Sequence, residues 1–255
     1  MFKAVLFVSL YGIVFCPASS SAQDLIAQAD ALYTRGGLQN YQKAIELYLQ
    51  FLADNPNDFD GNWKCARTHR EYGENTKRQM HKDWRAICAQ HGKTGMQYGQ
   101  KAIELEPDRV EGHYYFGLNV GLYTDGKSVL AALREGLKNK SQHSFERAYA
   151  LNKMYADAGP IVSLGRFWAV LPWPMKDKKK ALKYYREYQV TPYFEGNAEA
   201  QIYLSELLLK LGGKQNEAEA RGLLEGAGQT EKPYYRDWAH RLLAQLPQQP
   251  KINDN

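Results

Sequence analysis

The sequence contains none of the short motifs that mark common enzyme active sites. It has no GxSxG, no HExxH, no phosphate-binding glycine loop and no CxxC, and its six histidines follow no motif. These absences argue against a catalytic constellation of any familiar type. We therefore predict that the protein is not an enzyme and binds no cofactor. An enzyme with an unmarked site is the weakest alternative.

Long hydrophobic runs are also missing, apart from one at the start of the chain. Lys3 precedes an apolar run over residues 4–15, and small residues follow at 20–22. A basic start, a short apolar core and a small-residue end are typical of a secretory signal. We predict a signal peptide over residues 1–22, with cleavage before Gln23. The apolar run is too short to span a bilayer comfortably, which disfavours an uncleaved anchor.

A lipid anchor is disfavoured for a separate reason. Cys16 follows Phe15, which is bulky where lipoprotein signals have a small residue. No later segment has the length and apolar character of a transmembrane helix. The expected protein is exported, either periplasmic or secreted, and has no transmembrane segment in its mature chain.

The sequence also lacks a strong excess of one charge. It has 33 basic and 28 acidic residues, a formal net charge of +5, and they are interspersed. This balance is not a nucleic-acid footprint, so we predict no nucleic-acid partner. One basic run, Lys176 to Lys180, opens a predicted helix. We interpret it as a solvated first turn rather than a binding patch.

Cysteine is scarce, with three residues in the whole chain, of which Cys65 and Cys88 remain after the signal. Export to an oxidising space favours pairing. A helical hairpin turning near Asn75 would place the two at similar heights, within bridging reach. Cys65 and Cys88 are therefore a disulfide candidate, and two buried free thiols are the alternative.

A zinc site shared between these cysteines and two histidines is rejected on the same geometry. His69 and His91 have acceptable ligand spacing from Cys65 and Cys88. The hairpin turning near Asn75 would nevertheless place the histidines roughly 13 Å apart along the helix axis. We therefore predict no metal site.

What the sequence does contain is a repeated helical hairpin, clearest in residues 159–185. Leu164 and Gly165 share a helical face, the Leu-Pro-Trp-Pro corner at 171–174 ends that helix, and Asp177 can cap the next. The second helix buries Ala181 and Tyr185. Small residues in both helices and a following aromatic are typical of a tetratricopeptide hairpin. We predict that Gly165 is a contact point between the helices, opposite residues 181–185.

Most of the chain repeats this unit. Further units begin near Gln23, Phe59, Val110 and Glu195, and residues 234–246 form a capping helix. The intervals from 59 to 110 and onward to 158 exceed the usual repeat of about 34 residues by roughly four helical turns each. The fold prediction is an all-α, tetratricopeptide-like solenoid over residues 23–247 with lengthened central repeats. Residues 248–255 form a disordered tail.

The central region resembles a known family. GHYYFGLNVGLY (112–123), LGRFWAVLPWP (164–174) and DKKKAL (177–182) are similar to segments of the T-component proteins of TRAP transporters. The same helical core is similar to the regulator-of-microtubule-dynamics proteins. The resemblance covers residues 110–211. It implies a periplasmic tetratricopeptide-like protein that partners a solute-binding protein.

Candidate binding residues are aromatic or charged side chains on or beside the first helices of units, which line the concave face of this architecture. Tyrosine and tryptophan suit recognition, although packing is the alternative for most of them. Arg166 is semi-buried and needs an anionic partner, either an internal carboxylate or a ligand. We place Trp173 at the rim of the groove, or else folded back to seal its own hairpin. The predicted set is Trp63, His113, Tyr114, Arg166, Trp168 and Trp173.

Two functions remain open after these steps. The first is an exported scaffold that binds a protein partner, possibly as an accessory of a solute-transport system. The second is a carrier of a small apolar or anionic ligand, with a pocket in the central repeats. A cavity of several hundred cubic ångströms would favour the carrier, and an open groove would favour the scaffold.

Overall fold

The computed structural model describes residues 22–247, and across them the regular secondary structure consists of helices without any strand. The predicted tail and residues 1–21 of the predicted signal lie outside the described residues, while Ala22 begins the first helix. The helices are α1 (Ala22–Arg35), α2 (Leu38–Asp54), α3 (Phe59–Arg78), α4 (Trp84–Leu105), α5 (Val110–Gly126), α6 (Val129–Arg134), α7 (Leu137–Asn152), α8 (Tyr155–Val170), α9 (Lys178–Gln189), α10 (Ala198–Leu211), α11 (Lys214–Ala227) and α12 (Pro233–Leu243).

Five hairpins stack along the chain and confirm the predicted helical-repeat fold. The pairs are α1 with α2, α3 with α4, α5 with α7, α8 with α9 and α10 with α11, and α12 packs on the last pair. The lengthened central repeats are also confirmed. The helices α3 and α4 have 20 and 22 residues, and the third unit contains the additional short helix α6.

Short polar side chains start several of these helices. Asp58 accepts a hydrogen bond from the Gly61 amide, and Asp177 accepts one from the Lys180 amide, as predicted for α9. Asn197 caps α10 in the same way. Each satisfies an amide that would otherwise lack a partner at the helix start. These caps fix where the helices begin and so keep the hairpins in register.

The turn of the second hairpin differs from the prediction. The helix α3 continues to Arg78, and the turn occupies residues 79–83 rather than a position near Asn75. Met80 there has a positive φ of 54°, a conformation that ends the helix sharply. Moving the turn by about five residues changes which residues of α3 and α4 face each other. The consequences for the cysteines and histidines are described below.

Glycines of α4 let the third unit approach the second very closely. A Cβ atom on Gly92 would come within 2.5 Å of the Tyr123 amide nitrogen, and one on Gly95 within 2.1 Å of Asn119 Oδ1. Asn119 in turn donates hydrogen bonds to the carbonyls of Ala66 and Tyr115. From the sequence, these glycines suggest a weakened helix. In the structure they are the seam at which α4 meets α5.

The fourth and fifth units share a large apolar core, and the packing of α8 on α9 within it confirms the predicted role of Gly165. A Cβ atom on Gly165 would lie 2.5 Å from two ring carbons of Tyr185, which is 1% exposed. The backbone before this core is irregular, with φ of 48°, 59° and 59° at residues 156–158. Regular helix resumes at Pro160, in a first turn where proline needs no amide partner. Within residues 22–247, no helix has both the length and the apolar character needed to cross a bilayer.

Candidate partner-binding surface

The first helices of the units bring their aromatic and charged side chains together on one surface, which we call the inner face. Its first part joins the first two units. The Arg67 guanidinium lies 3.6 Å from the centre of the Tyr33 ring and 4.8 Å from that of Trp63. Trp63 stacks on Tyr115 with the ring centres 5.8 Å apart. Stacking of this kind holds a guanidinium in place and leaves its N–H groups available.

The middle of the inner face is a tyrosine cluster. Tyr114 packs edge-on against Tyr115 and Tyr155, with ring centres 5.2 and 5.5 Å apart. Burial raises the pKa of Tyr114 and Tyr115, so both hydroxyls stay protonated. Gly159 leaves room for this cluster, since a Cβ atom there would come within 2.1 Å of the Tyr114 hydroxyl. Tyr114 therefore lies on the inner face, but mainly as a packing residue.

A buried carboxylate organises the arginines of α3. Glu74 is 2% exposed and accepts a hydrogen bond from Lys77 at 3.0 Å. It also pairs with Arg70, and its second oxygen lies 3.6 Å from Arg78 Nε. Burying a carboxylate costs little only when cations surround it in this way. The result is a row of cations along one side of α3 with a net positive charge.

The last part of the inner face joins the fourth and fifth units. Arg166 donates a hydrogen bond to Glu206 at 3.0 Å and lies 4.1 Å from the centre of the Tyr203 ring. Tyr203 donates to Glu199 at 2.6 Å. The predicted anionic partner of Arg166 is thus present within the chain. The cavity beside these residues has a volume of about 10 Å³, enough for roughly one water molecule.

Several guanidinium groups of this surface keep an unused donor. The Nε atoms of Arg67, Arg70 and Arg78 are buried and have no hydrogen-bond partner among the described residues. Each unpartnered buried donor costs about 1–3 kcal/mol, and more for a charged group. A carboxylate from outside the chain would contact the exposed part of these side chains, which amounts to 17%, 16% and 30% at Arg67, Arg70 and Arg78. The chemistry of this part of the inner face is therefore that of a binding site for acidic groups.

The structure brings only some of the predicted site residues together. Trp63, Tyr114 and Arg166 lie on the inner face. His113 is buried, and its Nε2 lies 2.8 Å from the Pro107 carbonyl, on the side that faces α7. Trp168 is 7% exposed and packs in the core of the fourth unit against Phe167. Both are better explained as structural residues.

The structure excludes one of the two positions predicted for Trp173. Its side chain is 88% exposed, so it does not fold back to seal its own hairpin. It also lies outside the set of residues that line the cavity at Arg166. The Leu-Pro-Trp-Pro corner instead presents the indole to solvent.

The disulfide candidate is wrong, and both cysteines are buried free thiols. The thiol of Cys88 lies 3.3 Å from the carbonyl of Gly73. Gly73 is eight residues after Cys65 on α3, which corresponds to about 12 Å along the helix. The displaced turn explains the error. Burial raises the pKa of the Cys88 thiol to about 11, and that of Cys65 further, so neither is a reactive thiolate.

The displaced turn also reverses the argument used against zinc. His69 and His91 do not lie far apart, because their Nδ1 atoms are 3.0 Å from each other. His69 stacks on Tyr98, and His91 stacks on Tyr72. Across residues 22–247, no group of three or more histidine, cysteine or acidic side chains is placed to hold a metal ion. The histidine pair is thus a buried neutral pair inside the second hairpin.

A larger cavity lies away from the inner face, between the first two units. It has a volume of about 420 Å³ and is open to solvent. Its lining includes Leu49, Leu52 and Pro56 of the first unit and Tyr98 and Lys101 on α4. The pocket predicted from the sequence was assigned to the lengthened central repeats. This cavity lies elsewhere, because the first unit supplies one of its walls.

Sequence reasoning missed most charged members of the inner face. Arg67, Arg70, Glu74 and Arg78 recur every three, four and four residues along α3, which is the spacing of one helical face. That signal was available in the sequence. The partners Glu199 and Tyr203 could not have been assigned, because they lie three units away along the chain.

Comparisons with known proteins agree with this fold. A family model described as regulator of microtubule dynamics protein 1-3 matches residues 25–182. The crystal structure of TTC0263, a thermophilic TPR protein of Thermus thermophilus, superposes with a TM-score of 0.61 at 17% identity, covering 88% of this chain and all of that one. The crystal structure of MamA gives a TM-score of 0.50 at 18% identity, covering 90% and 98%. No curated protein sequence matches the chain.

Proposed function

The chain belongs to the family of regulator of microtubule dynamics protein 1-3, and we propose that it is a scaffold that binds an acidic segment of a protein partner on its inner face. The tetratricopeptide-like fold supports a protein-binding role, because such solenoids present an extended surface to partners. The observation that carries the proposal is the row of partly exposed arginines on α3, where the side chains of Arg67, Arg70 and Arg78 are 17%, 16% and 30% exposed.

The excess of positive charge on α3 is the reason for proposing an acidic partner. Lys64, Arg67, Arg70, Lys77 and Arg78 lie on α3, whereas Glu71 and Glu74 are the acidic residues of the same stretch. Glu74 is already engaged by its neighbours. Asp30 pairs with Lys64 and lies 3.7 Å from Arg67, and Asp125 pairs with Lys77. Carboxylates of a partner would add to these internal partners of the α3 cations. Tyr33 and Trp63 flank Arg67 and would supply apolar contact to the same segment.

A hexaglutamate peptide is a suitable probe of this surface. We expect it to bind in low salt, and we expect the double variant Arg67→Gln/Arg70→Gln to lose at least tenfold in affinity by fluorescence anisotropy. The control is Arg35→Gln/Arg241→Gln, which removes the same charge at two exposed positions. Equal binding by both double variants, or no binding by the wild type, contradicts the proposal.

A more specific form of the proposal states where the protein is located and which partner it binds. The signal predicted for residues 1–22 and the resemblance to T-component proteins support an exported protein that docks a solute-binding protein as an accessory of transport. Expression with a C-terminal reporter that is active only after export tests the location. Co-purification with a solute-binding protein encoded beside it tests the partner. Retention of the reporter inside the cell rejects this more specific form and leaves the scaffold proposal intact.

A second candidate function is the binding of a small apolar or anionic ligand. The cavity of about 420 Å³ between the first two units supports it, with leucines on its wall and Lys101 at its rim. A fluorescent fatty acid is the probe, and Ala53→Trp, which places an indole in this cavity, is the variant. Loss of binding in that variant with unchanged thermal stability favours the carrier function. Unchanged binding contradicts it.

A further inference from the structure

The fourth and fifth hairpins present a protruding tryptophan beside a cluster of lysines. This surface borders the inner face, because Lys176, Lys178 and Lys210 line the small cavity beside Arg166. Trp173 is 88% exposed, and Val170 and Leu211 nearby are 36% and 39% exposed. Lys178 donates a hydrogen bond to the Lys210 carbonyl, which joins the turn after α8 to the end of α10. We call residues 168–181 and 209–214 together the Trp173 patch.

The charge of the Trp173 patch is almost entirely positive. It contains six lysines, at positions 176, 178, 179, 180, 210 and 214, and one carboxylate, Asp177, giving a net charge of +5. Asp177 is engaged as the cap of α9, where it accepts a hydrogen bond from the Lys180 amide. The lysine charges of the patch are therefore left largely uncompensated within it.

The opposite ends of α9 and α10 contain acidic residues instead of lysines. Residues 187–201, which connect α9 to α10, contain Glu187, Glu195 and Glu199 and no lysine or arginine. Glu187 pairs with Lys153 and Glu199 pairs with Arg78, so the charges at this end are largely balanced, whereas the end at Trp173 is strongly positive. Near an anionic surface, this uneven distribution of positive charge turns the Trp173 patch toward that surface.

We propose that the Trp173 patch docks the protein on an anionic lipid surface, with the indole of Trp173 inserted at the level of the headgroups. Tryptophan prefers the membrane–water interface because one edge of the indole is apolar and the other is polar. Lysines close to an anionic leaflet each add attraction, and their aliphatic stems reach past the headgroups. A single inserted side chain binds a membrane weakly, so stable docking needs a second attraction. In the Trp173 patch the lysines supply it beside the indole.

The shape of the patch favours lipid over a protein as its occupant. A tryptophan that anchors a protein interface sits in a fitted pocket surrounded by contacts that exclude water. Trp173 protrudes singly from a proline-flanked corner, and its apolar neighbours are only partly exposed. A fluid lipid interface accommodates such a side chain without a complementary pocket.

Co-sedimentation with vesicles tests the proposal. The full chain is mixed with vesicles of phosphatidylcholine alone and with vesicles containing about one third phosphatidylglycerol, in low and in high salt. We expect binding to the anionic vesicles that falls at high salt. The triple variant Lys176→Glu/Lys179→Glu/Lys214→Glu and the single variant Trp173→Ala should each lose at least tenfold in affinity for them. Residues 1–21 are identical in every variant, so they cannot cause differences in vesicle binding between the variants.

The matched control is Lys43→Glu/Lys93→Glu/Lys232→Glu, which changes the net charge equally at exposed positions outside the patch. It should keep at least half of the wild-type affinity. Equal losses in the two triple variants, equal binding to neutral vesicles, or no binding overturns the proposal. Binding of hexaglutamate that the patch variant alone abolishes, without vesicle binding, would assign the patch to an acidic protein and also overturns it.

Discussion

Arg78 near the end of α3 lies 4.0 Å from Glu199 at the start of α10. The two helices belong to the second and fifth units, so this ion pair joins distant parts of the chain across the inner face. The ring of Tyr235 on α12 lies 5.4 Å from the same guanidinium. The pair therefore ties the superhelix to its terminal cap and limits how far the units can open.

The first prediction concerns the carboxyl group of Glu199. Burial alone would raise its pKa, but the guanidinium of Arg78 and the hydroxyl of Tyr203 outweigh burial and hold the pKa below its ordinary value. In Arg78→Met the pKa of Glu199 should therefore rise, as measured by NMR titration of its carboxyl carbon. Lys43→Met is the control and should leave it unchanged. An unmoved pKa in Arg78→Met would show that the pair is not formed in solution.

The sign of the pH effect follows from the same shift. Because the pKa of Glu199 is lower in the folded state, its contribution to stability is present above the unfolded-state pKa. That contribution is lost as the pH falls through the folded-state value. The Arg78→Met variant should therefore be less stable than the wild type at neutral pH, and the difference should shrink in acid.

The second prediction concerns His69 and His91. Burial, assisted by the neighbouring His91, lowers the pKa of His69 to about 3, and burial lowers that of His91 to about 4. The unfolded chain therefore binds more protons than the folded chain between pH 6.5 and about 4, so stability falls as the pH drops through this range. Between pH 7 and pH 5 we expect a loss of about 2 to 4 kcal/mol from the pair, measured by urea unfolding.

A variant without the ionisable rings isolates this effect. His69→Phe/His91→Phe keeps an aromatic ring against Tyr98 and Tyr72, and most of the loss between pH 7 and pH 5 should disappear. His81→Gln, at an exposed position, is the control and should retain the wild-type loss. An unchanged pH dependence in the double variant would mean that other groups cause the acid sensitivity.

The sequence predicted the repeats well, because helical periodicity and small residues at helix contacts are local signals. Gly165, Ala181 and Tyr185 identified the hairpin of the fourth unit and its packing without any long-range information. The turn of the second unit was misplaced, because the stretch from Arg78 to Asp83 contains no proline or glycine. That error of a few residues produced the wrong disulfide and the wrong separation of the histidines.

The inner face was only partly predictable for a different reason. Aromatic residues suit both a helical core and a binding surface, so periodicity could not separate Trp168 and Tyr114 from binding residues. The pairing of Arg78 with Glu199 depends on the superhelical twist summed over three units. Small changes in each unit-to-unit angle accumulate, and no local pattern encodes the sum.

The third prediction tests the seam between α8 and α9. Gly165→Ala places a Cβ atom 2.5 Å from the buried ring of Tyr185, which cannot move aside without disturbing the core. We expect a loss of about 1 to 3 kcal/mol in the free energy of unfolding. Gly121→Ala is the control, because a Cβ atom there meets nothing within 4 Å. It should gain roughly 0.5 to 1 kcal/mol from better helix propensity. Equal effects in the two variants would show that the seam is not tightly packed.

The last prediction compares two tryptophans on either side of the Leu-Pro-Trp-Pro corner. Trp168 is 7% exposed and packs against Phe167, and Lys180 lies 4.2 Å from its ring centre. Trp168→Ala should therefore lower the free energy of unfolding by about 3 to 5 kcal/mol, the usual result of deleting a buried tryptophan. Trp173 is 88% exposed, so Trp173→Ala should change it by less than about 0.5 kcal/mol.

Chemical denaturation followed by circular dichroism measures both changes without relying on tryptophan fluorescence. A large loss in Trp173→Ala would mean that the indole packs against the protein in solution and is not free to enter a lipid interface. A small loss in Trp168→Ala would mean that the core of the fourth unit tolerates a cavity of that size. Stability retained in Trp173→Ala would also let any loss of vesicle binding in that variant be attributed to the missing side chain rather than to unfolding.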